Sequence, residues 1–129
     1  GRAICDAPRF PDLFRTVSDA GATILSVPAA CTVPTGRAHW HVLLRARAIE
    51  TGCFVLAPAQ CGLHAADHAA QPRPRRSFGH SLAVSPWGEV LGDAGEGPGI
   101  LIVSLDLNEV DKARSRIPAI HADQPFEGP

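Results

Sequence analysis

No run of apolar residues in this chain approaches the ~20 that a membrane-spanning helix needs. No leader pattern, charged and then apolar, opens it at Gly1 either. The formal net charge is only −1, so no long-range field draws it to nucleic acid or anionic lipid. The cysteines are Cys5, Cys31, Cys53 and Cys61. None forms a C-x-x-C pair and no H-E-x-x-H is present, so the usual zinc signatures are lacking and no metal or cofactor is expected. Nothing else has a secreted character, so reduced thiols and a cytoplasmic location are expected.

Turn formers, by contrast, are abundant. The 12 glycines and 12 prolines make nearly a fifth of the 129 residues, against an average near 12%. That excess favours short strands and many turns over a helical bundle. The first residues read as a strand ending at Cys5. Phe10, Leu13, Phe14 and Val17 then fall at i, i+3, i+4, i+7, one face of a helix that Pro11 opens and Gly21 closes. "TILSVPAA" reads as a buried strand, and Thr35 as a possible cap for a helix over 37–50. That helix carries Trp40, Leu43, Leu44 and Ala48 on one face and ends at Gly52. "CFVLAPAQ" is a second buried strand. Residues 62–76, polar and locally basic, read as an exposed loop. Short strands follow in "SFGHSLAVSP" and "EVLGD", then a strand in "ILIVSLDL". The last helix spans 108–117, with Asn108 as cap, Glu109 and Asp111 at its start, and Arg114 and Arg116 at its end. The order predicts an α/β first part and a β meander after it.

Cys5 stands where a strand gives way to a helix. A thiol there sits on a sharp turn near the positive end of the helix dipole, which favours the thiolate. Backbone N–H groups beyond it can meet an oxyanion. Such a residue suits covalent attack on a carbonyl or nitrile carbon. A buried cysteine acting as a small hydrophobe explains the local pattern equally well.

The longer pattern separates the two. "C-x-x-x-RFP-[DE]-L", "AGA-x-x-L-x-VPAA", "TG-x-AHW-x-VLLRARAIE-x-x-C-x-V-x-APAQCG-x-H", "R-x-SFGHS", "PWGEV" and "EGPG" occur in order. Together they resemble the C-terminal half of a nitrilase-superfamily carbon–nitrogen hydrolase, in the branch of ω-amidases and deaminated glutathione amidases. The resemblance implies the C-terminal half of a four-layer αββα sandwich, with residues 1–121 in the hydrolase domain and 122–129 as a tail. It also implies a homodimer and a small-molecule amide substrate. Cys5 matches the nucleophile of a Glu–Lys–Cys triad, and the backbone N–H of Asp6 matches an oxyanion donor. Attack on an amide would release ammonia and leave a thioester for water to hydrolyse. Arg9 and Cys31 match positions near the substrate.

Two departures stand out. The family's catalytic Glu, Lys and supporting Glu precede the cysteine, whereas only Gly1–Ile4 precede Cys5, and the sole lysine, Lys112, matches no catalytic position. The family's C-Y-D-x-R-F-P is here C-D-A-P-R-F-P, placing the Asp6 carboxylate beside the thiol, where it opposes ionisation. Pro8 also fixes φ and removes an N–H. A half-chain or degenerate homologue serving as a binding or scaffold subunit is therefore the alternative to an enzyme. Glu50, three residues after Arg47, reads as a structural ion-pair partner. His64 and His80 read as structural hydrogen-bonding residues. His39 and His41, two apart on a helix, face different ways. Arg9 and Arg75 suit either a substrate carboxylate or a loop brace.

Half of a sandwich leaves an apolar sheet face uncovered, and such faces drive association. A polypeptide of these 129 residues alone is expected to elute as aggregate or to unfold without cooperativity. A soluble monomer with a sharp melting transition would contradict this.

Overall fold

The structure is a computed structural model that describes residues 6–65 and 74–122. A single 3₁₀ turn, Ala7–Arg9, leads into helix α1, Pro11–Asp19. Pro11 suits the first helical turn because its fixed φ is helical and its missing N–H would have had no partner there. Gly21, at φ 95°, accepts the left-handed geometry that closes the helix. Its N–H donates to the Ser18 carbonyl, and that of Ala22 reaches back to Val17, the paired bonds of a Schellman stop. Of the expected face, Phe14 is buried and Val17 packs on the core. Phe10, however, is 61% exposed and Leu13 is partly so.

Strand β1, Ile24–Ser26, and strand β2, Phe54–Ala57, are parallel neighbours, with Leu25 opposite Val55. Helix α2, Val33–Thr51, makes the crossover between them. It begins about one turn before the expected start at 37. Thr32, extended at ψ 154°, is the boundary residue and Pro34 lies in the first turn. Thr35 instead accepts a hydrogen bond from the Thr32 hydroxyl at 3.1 Å. Trp40, Leu44 and Ala48 face the sheet and are buried, as the spacing predicts, while Leu43 is half-buried. Full burial of a Leu or Phe side chain contributes about 1.5–3 kcal/mol. Near the helix start, Gly36 is obligatory. A Cβ there would lie 2.4 Å from Phe78.

The sheet continues with β5, Leu82–Val84, antiparallel to β2, and β6, Val90–Asp93, at the edge, giving the order β1-β2-β5-β6. Between β2 and β5 in the chain, β3, Cys61–His64, and β4, Arg75–Phe78, form a separate two-stranded antiparallel ribbon. Both ends of the expected 62–76 loop are thus strand; its middle, 66–73, lies outside the described residues. Leu25, Val27, Val55, Ala57, Leu82 and Val84 share one core with Phe14, Trp40 and Leu44.

The opposite face carries Ser26, Leu56 and Ala83, and residues 99–105 run along it. The expected strand here has no ladder among the described residues. It keeps the alternation of a strand nonetheless. Leu101, Val103 and Leu105 are half-buried, while Ile100 and Ile102 point outward at 91% and 88% exposure. A strand is defined by its partner, and none lies beside this segment among the described residues.

Helix α3, Asn108–Arg116, fastens the C-terminal ends of the other two. Arg114 Nε donates to the Thr51 carbonyl (3.2 Å), and its Nη2 to Ser18 Oγ (2.9 Å), the Ala22 carbonyl (2.8 Å) and Cys53 Sγ (3.2 Å). Cys31, Cys53 and Cys61 carry no disulfide. No helix among the described residues is long and apolar enough to cross a membrane.

The cap of α3 is set by Asp106 rather than Asn108. Asp106 Oδ1 accepts the Asn108 backbone N–H at 3.1 Å and its side-chain amide at 2.7 Å. Those two bonds, followed by the nearby Lys112 charge, hold the Asp106 carboxyl below its ordinary value of 3.8. A depressed folded-state value contributes stability that is complete above the unfolded value and fades as pH falls through the folded one. Asp106→Ala is therefore expected to lower the thermal midpoint at neutral pH. Melts repeated at decreasing pH should show the gap from the parent closing below about 3.8; a gap of constant size would refute the charged cap.

Candidate active site

The described chain begins one residue after Cys5, which itself lies outside the described residues. The turn beyond it is tightly determined. Asp6 has helical backbone angles (φ −78°, ψ −8°), and its carbonyl accepts the Arg9 N–H at 3.0 Å. Ala7 and Pro8 are buried beneath the turn. The Pro8 carbonyl accepts Arg47 Nε from α2 at 2.8 Å. Arg47 is itself buried; it pairs with Glu50 and lies 5.9 Å from the Phe14 ring centroid. The Arg47–Glu50 ion pair expected from spacing is present, and the Arg47 bond to the Pro8 carbonyl anchors the turn to the crossover helix.

Asp6 is exposed, and its carboxylate is paired with Arg9 Nη1 at 2.7 Å. The same guanidinium reaches His39 Nδ1 through Nη2 at 3.3 Å. Arg9 thus offsets the charge that departs from the family pattern. The structure brings Arg9 and Cys31 together in one crevice with Pro8, His39 and Trp40, but its volume is only about 10 Å³. That is room for about one water.

A larger opening, about 500 Å³, lies at the carboxyl ends of the parallel strands. Pro28, Ala29 and Ala30 continue β1 and form one wall; Pro58, Ala59 and Gln60 continue β2 and form another, with Ser81 between. Backbone bonds hold the two walls together: Ala29 N–H to the Pro58 carbonyl (3.0 Å) and Gln60 N–H to the Ala29 carbonyl (2.9 Å). Ser81 Oγ accepts the Ala59 N–H at 2.9 Å. Short side chains leave the space open, and open α/β sheets bind ligands at this end of their parallel strands.

The β3–β4 ribbon braces the wall from outside. Arg75 Nη2 donates to the Ala30 carbonyl at 2.6 Å, and Phe78 N–H to that of Cys31 at 2.9 Å. Arg75 is therefore a loop brace. His64 Nε2 lies 2.8 Å from Ser77 Oγ, the structural role expected of it. Sequence reasoning missed Ser77 and Ser81, whose isolated hydroxyls carry no spacing signal.

A second polar cluster lies at the sheet edge. His41 Nε2 is 2.8 Å from Asp93 Oδ2, and His80 Nδ1 is 2.9 Å from Asp93 Oδ1. Burial alone would raise the Asp93 carboxyl. Hydrogen bonds from Gly95 N–H, His41 and His80, with the His80 charge, outweigh that and hold it below its ordinary value.

A mixed helix-and-sheet chain with a pocket beyond the carboxyl ends of its parallel strands has the layout of an α/β enzyme. The carbon–nitrogen hydrolase family model matches residues 1–115, and the chain belongs to that family. Deaminated glutathione amidase of Bos taurus is 46% identical over 125 residues, covering 97% of this chain and 36% of that protein. The Synechocystis (strain PCC 6803 / GT-S) protein of the same name is 44% identical over 120 residues, covering 93% of this chain and 42% of that protein. The chain thus spans well under half the length of these relatives. Among solved structures, the C. elegans NitFhit protein superposes with a TM-score of 0.79 at 40% identity, over 95% of this chain and 28% of that one. An amidase from Nesterenkonia sp. AN1, bearing a Michael adduct of acrylamide on its active-site cysteine, superposes with a TM-score of 0.64 at 27% identity. That match covers 91% of this chain and 42% of the amidase.

Because a charged donor holds the turn after Cys5, Arg47→Ala is expected to cost about 2–3 kcal/mol in denaturant unfolding. Glu50→Gln, at the more exposed end of the pair, should cost less than about 1 kcal/mol. Equal losses would mean that the ion pair, and not the Pro8 bond, is the anchor.

Proposed function

We propose that the protein carrying this chain hydrolyses the carbon–nitrogen bond of a small linear amide, an ω-amide of a dicarboxylate, with Cys5 as nucleophile. The Cys5 thiolate attacks the amide carbon, and the oxyanion that forms is met by the Asp6 backbone N–H. Collapse of this intermediate breaks the carbon–nitrogen bond, and the nitrogen, taking up the proton that the thiol gave up, leaves as ammonia. Water then attacks the thioester, giving the acid and returning the thiol. The observation that carries the reading is the pinned turn immediately after Cys5. Its carbonyl at Pro8 is fixed by Arg47, and its one unfamiliar charge, Asp6, is offset by Arg9.

The general base and the cationic oxyanion donor called for by the family match no residue of this chain. Lys112 sits on α3, with its Nζ 3.7 Å from Asp106, and serves that helix rather than the junction. In this reading Arg9 and Cys31 shape the substrate side of the junction, and the enzyme works as a cytoplasmic homodimer. The altered elbow, with Asp6 and Ala7 in place of the family's residues and Pro8 after them, motivates the second reading, a non-catalytic scaffold subunit.

The deciding experiment is ammonia release by the full-length protein from ω-amides of dicarboxylates, with intact-mass detection of the acyl-enzyme. Cys5→Ala is expected to abolish the adduct and cut turnover by at least about 10³-fold. A folded full-length protein with neither ammonia release nor an adduct would establish the scaffold reading instead.

A further inference from the structure

We propose that His41, His80 and Asp93 form a binding site for a divalent metal of the zinc type, separate from the Cys5 junction. The three residues come from three places in the fold: the middle of α2, the turn before β5, and the end of β6. One ligand atom from each lies within 4.8 Å of the others. The histidines are half-buried, and the cluster opens to solvent on the Asp93 side. Water can therefore complete the coordination of a three-ligand site.

The ligands are held before any ion arrives. His80 has φ 58°, unusual for a residue with a side chain. Its N–H donates to the Gly95 carbonyl at 2.7 Å, and its carbonyl accepts Trp40 Nε1 at 2.7 Å. Its ring stacks on Phe78 with centroids 4.3 Å apart, and the His41 ring meets it edge-on at 5.4 Å. The Gly95 N–H donates to Asp93 Oδ1 at 2.8 Å, which orients the carboxylate. Such outer bonds fix the geometry of metal ligands.

The donor set decides the metal class. Two imidazole nitrogens and one carboxylate suit zinc and its neighbours, whereas magnesium and calcium prefer oxygen alone. His41 Nε2 and His80 Nδ1 both face the carboxylate at hydrogen-bond distance. An ion between them takes the place of the shared hydrogens, so each ring must give up or relocate one proton. Loading would then join α2 to the β5–β6 edge through bonds stronger than the present hydrogen bonds. His39, on the same helix, takes no part, since it faces Arg9.

Cobalt(II) titration of the full-length protein tests this, because cobalt reports its donor atoms. One equivalent should bind with visible ligand-field bands and no thiolate-to-cobalt charge-transfer band, and zinc should displace it. Asp93→Asn and His41→Gln should each weaken zinc binding by at least about tenfold, while His39→Gln and Cys5→Ala leave it unchanged. Zinc should also raise the thermal midpoint of the parent. A thiolate band, no stoichiometric binding at submillimolar cobalt or zinc, or undiminished affinity in folded Asp93→Asn would each overturn the proposal. If either variant fails to fold, the spectrum of the parent decides alone. Because Cys5→Ala should bind metal normally, failure here is distinguishable from failure of the hydrolase reading.

Discussion

The bond from Arg47 to the Pro8 carbonyl is the constraint on which the candidate site depends. A buried guanidinium is costly unless its donors are used. Here they are shared between a carbonyl on the N-terminal turn and the Glu50 carboxylate one helical turn on. The charged head also lies near the ring of Phe14, a core residue. One side chain therefore couples the turn after Cys5, the helix next to it, and the crossover helix. The turn cannot drift without leaving a charge stranded in the interior.

The second constraint is the parallel pairing of β1 and β2. Parallel neighbours require a crossover, and α2 supplies it. Beyond the last paired residues both chains run on side by side through Pro28–Ala30 and Pro58–Gln60. Alanine and proline there leave space that larger side chains would fill. The ribbon from Cys61 to Phe78 then props this wall from outside, through Arg75 and the Phe78 N–H. Pocket and N-terminal turn are thus both consequences of how α2 is seated: Arg47 holds the turn, and Gly36 lets Phe78 close on the other side.

Periodicity made the helices legible. Phe14 and Val17, and Trp40, Leu44 and Ala48, recur at helical spacing and are in the core or packed on it. Boundaries were less so. Thr35 has cap chemistry yet lies inside α2, whose boundary is Thr32 with Pro34 in the first turn, while α3 starts at Asn108 as expected but takes its side-chain acceptor from Asp106. Of the ribbon only Ser77 and Phe78 fell in an expected strand, because "CGLH" and "RRSF" lack alternating burial of their own; backbone pairing and contact with residues 31 and 32 hold them. The segment 100–107 shows the reverse, an alternating pattern whose ladder partner is absent among the described residues. The cluster at Asp93 could not be read from spacing, since His41 lies 52 positions away.

The elbow illustrates how a departure from a family pattern is judged by its surroundings. In isolation, Asp6 places a negative charge beside the thiol and argues against ionisation. The fold answers it three residues later, because the 3₁₀ turn puts Arg9 on the same side as Asp6, with the guanidinium 2.7 Å from the carboxylate. That geometry needs both the turn and the proline. Pro8 holds φ at a value the turn requires, and the Arg9 N–H closes the turn on the Asp6 carbonyl. Exposure weakens the pair's contribution to stability, but the pairing still leaves the turn with no net charge of its own from Asp6 and Arg9. Asp6, Pro8 and Arg9 are thus one compensated unit, in which the one unfamiliar acidic letter is answered by a cation within the same turn.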